Sequence, residues 1–246
     1  MSKLYGLIGF PLSHSFSKGY FTEKFAREGI ADSVYELFPL AHIGQFPALL
    51  ETQPELVGLN VTIPYKESVI PFLHALDEEA AEIGAVNTIT IRDGRTKGYN
   101  TDVYGFEMSF KKHLKPVHQR ALILGTGGAS KAVLFTLNKL GIPYTLVSRS
   151  SGRDHLTYSD ITPEILDANK IIINTSPLGM YPKSEEYPDL PYEALSADHY
   201  LYDLIYNPAE TAFMKMGIAA GAVVENGLEM LHLQAEKAWE IWQSAS

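Results

Sequence analysis

Arg120-Ala121-Leu122-Ile123-Leu124-Gly125-Thr126-Gly127-Gly128-Ala129-Ser130 is a short apolar run that breaks into a cluster of glycines. Arg120 to Leu124 has the length and composition of a buried strand. The residues after it read as a helix, with Ala129, Ala132, Val133, Leu137 and Leu140 on one face. Gly141-Ile142-Pro143 ends that helix, and Tyr144 to Val147 is the next strand. Strand, glycine turn, helix and strand together open a doubly wound parallel sheet. One glycine permits the tight turn and another lets a pyrophosphate approach the backbone. The helix N-terminus adds N–H donors and the positive end of its dipole. An ordinary helix-entry turn has similar residues, so the flanking strands are what favour a dinucleotide. The third place of the usual G-x-G-x-x-G holds Ser130.

Downstream, the strand ending at Val147 is followed by Ser148-Arg149-Ser150. A site for NAD places a carboxylate here, on the ribose 2′-hydroxyl. Arg149, with Arg153 nearby, instead attracts a 2′-phosphate, and serine hydroxyls can donate to it. The spacing therefore favours NADP; the competing reading is a plain surface arginine. Lys170 to Asn174 and Tyr200 to Leu204 are two further strands, and Ser151 to Ser159 leaves little room for a full helix. The chain closes on a helix with Leu228, Leu231, Ala235, Ala238 and Trp242 at helical spacing, a packing pattern.

Upstream, strands and helices alternate, which points to α/β layers. Leu4 to Ile8, Val34 to Phe38 and Val57 to Ile63 read as strands. Ser15 to Arg27, Ile43 to Leu50, Tyr65 to Leu76 and Glu78 to Ile83 read as helices. Val86 to Ile91 and Thr96 to Tyr99 read as a hairpin turned by Asp93-Gly94. Three polar clusters stand out. Ser13-His14-Ser15-Phe16-Ser17 puts two hydroxyls at a helix start, suited to a carboxylate, although helix capping alone would use one of them. In Asn60-Val61-Thr62-Ile63-Pro64-Tyr65-Lys66, alternation puts Asn60 and Thr62 on one face, with Lys66 beyond the strand end. The third pairs Ala85-Val86-Asn87-Thr88 with Tyr99-Asn100-Thr101-Asp102. A lysine and an aspartate brought together can share proton transfer, whereas separately they are an exposed lysine and an N-cap. The expected division is a first domain over residues 1–104 and a nucleotide domain over 105–224. The pattern alone leaves open which of them takes the final helix.

The chain has 246 residues and a formal charge of −9, which argues against a nucleic-acid partner, since phosphate contacts need clustered Lys and Arg. The densest basic run, Lys111-Lys112-His113-Leu114-Lys115, reads as a solvated helix end. There is no cysteine, which removes disulfides, thiolate metal sites and cysteine nucleophiles and fits a cytoplasmic protein. Met216 to Val224, the longest strongly apolar stretch, is far below the ~18–20 residues of a membrane span. No signal peptide is read at Met1-Ser2-Lys3. The histidines are scattered without metal-ligand spacing, which weighs against metal-dependent hydrolysis.

These residues match a known family. The chain resembles shikimate dehydrogenase in Gly9-Phe10-Pro11-Leu12-Ser13-His14-Ser15-Phe16-Ser17, in the segments Asn60 to Lys66 and Gly84 to Thr88, in Asn100-Thr101-Asp102 and in the Gly125-to-Ser130 turn. Asn174-Thr175-Ser176-Pro177-Leu178-Gly179-Met180, Asp203-Leu204-Ile205-Tyr206-Asn207-Pro208 and Asn226-Gly227-Leu228-Glu229-Met230-Leu231 complete the series in the family's order. The resemblance implies a substrate domain, a Rossmann-type NADP domain, and a final helix, 225–246, that returns to the substrate domain. It implies reversible reduction of 3-dehydroshikimate to shikimate in aromatic amino-acid biosynthesis, by a monomer or homodimer. It implies Lys66 and Asp102 as catalytic residues, Ser15 and Ser17 on the substrate carboxylate, and Thr62, Asn87, Asp102, Tyr206 and Gln234 around the ring. Gly125, Thr126, Gly127, Gly128 and Ala129 would cradle the pyrophosphate. Ser148, Arg149, Ser150 and Arg153 would surround the 2′-phosphate, with Leu204 and Gly227 near the nicotinamide. The chain departs from the family in Lys18, where proline is usual, and in Ser148-Arg149-Ser150, where Asn-Arg-Thr is common. The rival readings are a quinate/shikimate dehydrogenase using NAD and a shikimate-binding sensor without turnover. The presence of both Lys66 and Asp102 weighs against the sensor.

Overall fold

The computed structural model describes residues 3–12, 15–150, 152 and 154–244. Two compact units form: residues 1–101 with 235–246, and residues 102–234.

In the first unit, β1 (Lys3–Gly9) is followed by α1 (Phe16–Glu28), which ends at Gly29 in the left-handed region (φ 69°). Next come β2 (Ser33–Pro39), α2 (Phe46–Thr52), β3 (Leu56–Val61), β4 (Ala75–Leu76), α3 (Glu78–Ile83), β5 (Thr88–Arg92) and β6 (Arg95–Tyr99). The sheet order is β2-β1-β3-β5-β6-β4. β1 pairs in parallel with β2 and β3, and β5 runs antiparallel to both β3 and β6. Asp93 (φ 47°) and Gly94 (φ 73°) make the expected tight turn, the backbone shape that matches the twist of a two-stranded ribbon.

Two expected helices differ. Ile43 to Leu50 divides into a 3₁₀ turn (Ile43–Gln45) and α2, because Pro47 lacks an N–H and starts a new helix at its first positions. Tyr65 to Leu76 is not an α-helix. It is a run of turns, a 3₁₀ turn (Ile70–Phe72) and the short β4. Pro71 inside that run removes a helical donor and clashes with the preceding turn.

The second unit holds α4 (Thr101–Phe110) from Asp102 onward, β7 (Ala121–Leu124), α5 (Ser130–Lys139), β8 (Tyr144–Ser148), β9 (His155–Thr157), α6 (Pro163–Ala168), β10 (Ile171–Asn174), β11 (Tyr200–Asp203), α7 (Ala212–Ala219) and β12 (Val223–Asn226). The last helix, α8 (Leu228–Ser244), contributes its first seven residues here and returns to the first unit from Ala235. The sheet order is β12-β11-β10-β7-β8-β9 with every pair parallel. That is the doubly wound order of a dinucleotide-binding domain, whose switch point lies between β7 and β10. β7 and β10 are buried along their whole length, as a strand covered on both faces must be. Between β8 and β9 lie only residues 149–154, and none of the described ones is helical. Lys111–His113 forms a 3₁₀ turn at the end of α4, with Lys111 paired to Glu107 and Lys112 to Glu229. Among the described residues no helix is long and apolar enough to cross a membrane.

Candidate active site

In the first unit, Ser15 occupies the N-cap position of α1, yet its hydroxyl makes no capping bond. Its Oγ is buried and, among the described residues, has no hydrogen-bond partner. A buried polar atom left unpaired costs about 1–3 kcal/mol. Here it stands at the N-terminus of a 13-residue helix, where the dipole favours an anion. Ser17, half-buried in the first turn, lies beside the phenol of Tyr35. Ser13 and His14 lie outside the described residues.

Thr62 follows β3 and closes a tight turn. Its N–H donates to Ile8 (2.9 Å) and its carbonyl accepts from Tyr65 (2.9 Å). Tyr65 anchors the turn by donating its hydroxyl to the Leu40 carbonyl (2.5 Å). Lys66 comes next, half-buried, with its carbonyl accepting from Val86 N–H at 2.7 Å. That bond ties the lysine's backbone to the segment carrying Asn87.

Asn87 is buried, with 3% of its surface exposed. Its Oδ1 accepts from the Thr101 N–H (2.7 Å), and its Nδ2 donates to the Thr101 hydroxyl (3.0 Å). It therefore fixes the start of α4. Asn60, two residues before Thr62, is buried in a network. It accepts from Tyr35 (2.8 Å) and donates to the Asn87 carbonyl and the Thr88 hydroxyl (both 3.3 Å). Tyr35 carries no signal in the sequence beyond an aromatic on a strand. Asn60 carries one, a polar residue inside an apolar strand.

In the second unit, Asp102 is half-buried in the first turn of α4. One turn later, a Cβ on Gly105 would stand 2.5 Å from the Met230 carbonyl and 3.1 Å from the Gln234 Cβ. Only glycine lets α4 and α8 approach this closely, and the contact brings Gln234 onto the end of α4 that carries Asp102. Gln234 is buried and donates to the Leu231 carbonyl at 2.9 Å.

The glycine turn leads from β7 to α5. Gly125 has φ 119°, and a Cβ there would press on the Thr175 hydroxyl at 2.9 Å. At Gly127 and Gly128 a Cβ would meet nothing within 4 Å, so these glycines face open ground at the start of a ten-residue helix. Thr126 and Ala129 are exposed beside them. Ser130, in place of the third glycine, is buried and turns its hydroxyl back onto the Gly127 carbonyl (2.6 Å). Bare backbone, open space and a helix N-terminus together fit a pyrophosphate. Ser148 ends β8, and Arg149 and Ser150 follow, both exposed. Burial pushes the Tyr158 phenol up, while the Ser176 hydroxyl and the Arg149 charge pull it back. Arg149 thus lies within electrostatic reach of Tyr158. Arg153 lies outside the described residues.

The segments after β11 and β12 press together. Gly227 N–H donates to Ile205 (3.1 Å), and a Cβ on Gly227 would fall 2.1 Å from the Leu204 carbonyl. Leu204 is half-buried and Tyr206 exposed. Behind them Asp203 is fully buried. Its Oδ1 accepts from Asn174 Nδ2 (3.0 Å) and Ile205 N–H (3.1 Å), and its Oδ2 from the Thr211 hydroxyl (2.6 Å). Burial nevertheless pushes its carboxyl up to about 6. The sequence offers one signal for Asp203, an acid closing an apolar strand.

A mixed α/β unit followed by a doubly wound sheet with a glycine turn has the architecture of a dinucleotide-dependent dehydrogenase. A family model for the shikimate dehydrogenase substrate binding domain matches residues 7–89. A shikimate dehydrogenase (NADP(+)) of Clostridium beijerinckii is 41% identical, over 98% of this chain and 92% of that protein. The crystal structure of shikimate 5-dehydrogenase from Thermus thermophilus, in complex with NADP(H) and shikimate, matches at a TM-score of 0.86 and 29% identity, covering 98% and 94% of the two chains. Quinate dehydrogenase from Corynebacterium glutamicum, in complex with NAD, matches at 0.87 and 26%, covering 99% and 94%. The chain belongs to the shikimate dehydrogenase family.

Proposed function

We propose that this protein is an NADP-dependent oxidoreductase that reduces 3-dehydroshikimate to shikimate, reversibly, in the route to aromatic amino acids. The observation that carries this reading is the match to NADP-dependent shikimate dehydrogenases along nearly the whole chain, both units included. NADPH, when bound, supplies the hydride for the ring carbon. Gly125, Thr126, Gly127, Gly128 and Ala129 hold the pyrophosphate, and Ser148, Arg149, Ser150 and Arg153 the 2′-phosphate. Leu204 and Gly227 border the nicotinamide.

On the substrate side, Ser15 and Ser17 take the carboxylate, a role supported by the unpaired Ser15 hydroxyl. Thr62, Asn87, Asp102, Tyr206 and Gln234 contact the ring hydroxyls. Lys66 gives a proton to the carbonyl oxygen as the hydride arrives and takes it back in the reverse direction, with Asp102 orienting the same hydroxyl. Fixing the reacting carbon and its oxygen is the chain's main contribution to rate. The protein acts as a cytoplasmic monomer or homodimer, a placement that the lack of cysteine supports.

The test is an assay of purified protein with shikimate and NADP⁺, with NAD⁺ and quinate in parallel. Turnover mainly with shikimate and NADP⁺ is expected. Preference for quinate with NAD⁺ would move the protein to the quinate branch of the fold, and silence from folded protein would make it a binding protein. Lys66→Ala is expected to lower kcat by about 10²-fold or more while the protein folds normally. Near-normal turnover in that variant would remove the proton-transfer role.

A further inference from the structure

Asp203 is a carboxylate that the proposed reaction does not use. It closes β11, at the strand ends where an open α/β sheet takes its ligand. None of its surface is exposed, and among the described residues no cation pairs with it. Three donors serve it instead. The Ile205 N–H reaches Oδ1 (3.1 Å) and can only donate. The Asn174 Oδ1 accepts from the Ser176 N–H (3.1 Å), which leaves its Nδ2 to donate to the same Asp203 oxygen (3.0 Å). The Thr211 hydroxyl accepts from the Met214 N–H (3.3 Å) as the cap of α7, and its proton goes to Oδ2 (2.6 Å). The cage is built for an ion. A buried ion without a counter-ion is costly, and such groups gather where a charge is needed.

The Ile205 N–H belongs to the same peptide as the Leu204 carbonyl. In a trans peptide the two point in opposite directions. Asp203 therefore aims the Leu204 oxygen away from itself, and that oxygen is the atom a Cβ on Gly227 would meet at 2.1 Å. The carboxylate also polarises this peptide, because a hydrogen bond to an ion draws negative charge onto the carbonyl behind it. Leu204 and Gly227 are the residues read above as bordering the nicotinamide, and the inference rests on that reading. The ring carries a positive charge in NADP⁺ and none in NADPH. Two charges ~10 Å apart at an effective dielectric of ~20 still change an affinity about tenfold. We infer that Asp203 is a positioning residue that holds the Leu204–Ile205 peptide and makes the site favour the oxidised, cationic ring over the reduced, neutral one.

The experiment measures Kd of the full chain for NADP⁺, NADPH and 2′-phospho-ADP-ribose, which lacks the nicotinamide, by calorimetry at pH 8. Burial pushes the Asp203 carboxyl up to about 6, so at pH 8 it is ionised. Asp203→Asn is expected to raise the ratio of Kd for NADP⁺ to Kd for NADPH threefold to tenfold. Kd for 2′-phospho-ADP-ribose is expected to move less than twofold. A merely structural loss would move both cofactors alike, so an unchanged ratio in folded Asp203→Asn overturns the inference. A second measurement needs no variant. Beside Asp203 stand Asn174 on β10, Asn226 on β12 and Thr211 at the start of α7, and the titratable group that feels its charge is the Tyr192 phenol, which burial keeps neutral. The 2′-phosphate is common to both cofactors and cancels in the ratio. Between pH 8 and pH 5.5 the native ratio is therefore expected to rise at least twofold, and a constant ratio also overturns the inference. If the native protein binds neither cofactor, the dinucleotide site itself is wrong, an outcome distinct from the failure of the Asp203 role.

Discussion

Arg149 stands exposed one residue past the end of β8, where an NAD site would carry an acid. Its guanidinium has no carboxylate in that place to repel a phosphate. Arg149→Ala is expected to raise KM for NADP⁺ about tenfold or more and to leave KM for NAD⁺ within twofold; equal effects on both cofactors would show that Arg149 does not read the 2′-phosphate. Asp203 poses a different problem at the same scale. Its ordinary carboxyl value is 3.8, and burial raises it to about 6 despite three donors. The folded state therefore holds this proton at pH values where the unfolded chain has released it. Stability from this group is present below about pH 4 and is lost as pH rises toward 6, by about 3 kcal/mol at most. In urea unfolding at pH 4, 5, 6 and 7, the native protein is expected to lose stability relative to Asp203→Asn across that range. Loss of the Thr211 or Asn174 bond shifts the variant by a constant amount, so the slope is the reading. A pH-independent difference would mean that Asp203 is ionised in both states over this range.

At the scale of elements, local signals account for most of the fold. Asp93-Gly94 set the hairpin, and the apolar run into Gly125 set the first step of the parallel sheet, because each depends on backbone shapes few residues allow. The short stretch after β8 is legible as too small for a helix, and none of its described residues is helical. Tyr65 to Leu76 misleads because its apolar spacing suits a helix while Pro71 forbids one. The polar motifs are legible as clusters, but not the links inside them. Ser17, Tyr35 and Asn60 come from α1, β2 and β3, and sheet order joins what the sequence separates. Gly227 shows how tightly two elements can be set. A methyl group there would lie 2.1 Å from the Leu204 carbonyl, which is backbone and cannot rotate away. Gly227→Ala is expected to displace the Leu204–Tyr206 segment, cost about 1–3 kcal/mol of stability and raise KM for NADP⁺ severalfold. Thermal melts and cofactor titration check this, and a variant matching the native protein in both would show that the segment yields freely.

At the scale of the whole molecule, each unit has cores of its own. Tyr5, Phe21, Phe25, Tyr35 and Trp242 pack in the first, and Phe106, Phe110, Tyr200 and Tyr202 in the second. The last helix is read from sequence as packing, and its apolar spacing does not say against what. The answer lies in a partner far away in the chain. Gly58 on β3 leaves room for the Trp242 indole, since a Cβ there would meet its Nε1 at 2.5 Å. The indole N–H donates to the Ile89 carbonyl (3.0 Å), and the Trp242 carbonyl accepts from Arg92 (2.7 Å). Trp242→Ala therefore opens a cavity and strands a carbonyl at the centre of the first unit. Removing a buried tryptophan costs about 3–5 kcal/mol, a large share of the roughly 5–15 kcal/mol that holds a domain together. Shikimate turnover by Trp242→Ala is expected to fail on warming at a temperature several degrees below that of the native protein. Binding of NADPH, followed by its fluorescence, is expected to persist through that loss, because the glycine turn belongs to the other unit. Simultaneous loss of turnover and cofactor binding would show that the two units unfold as one.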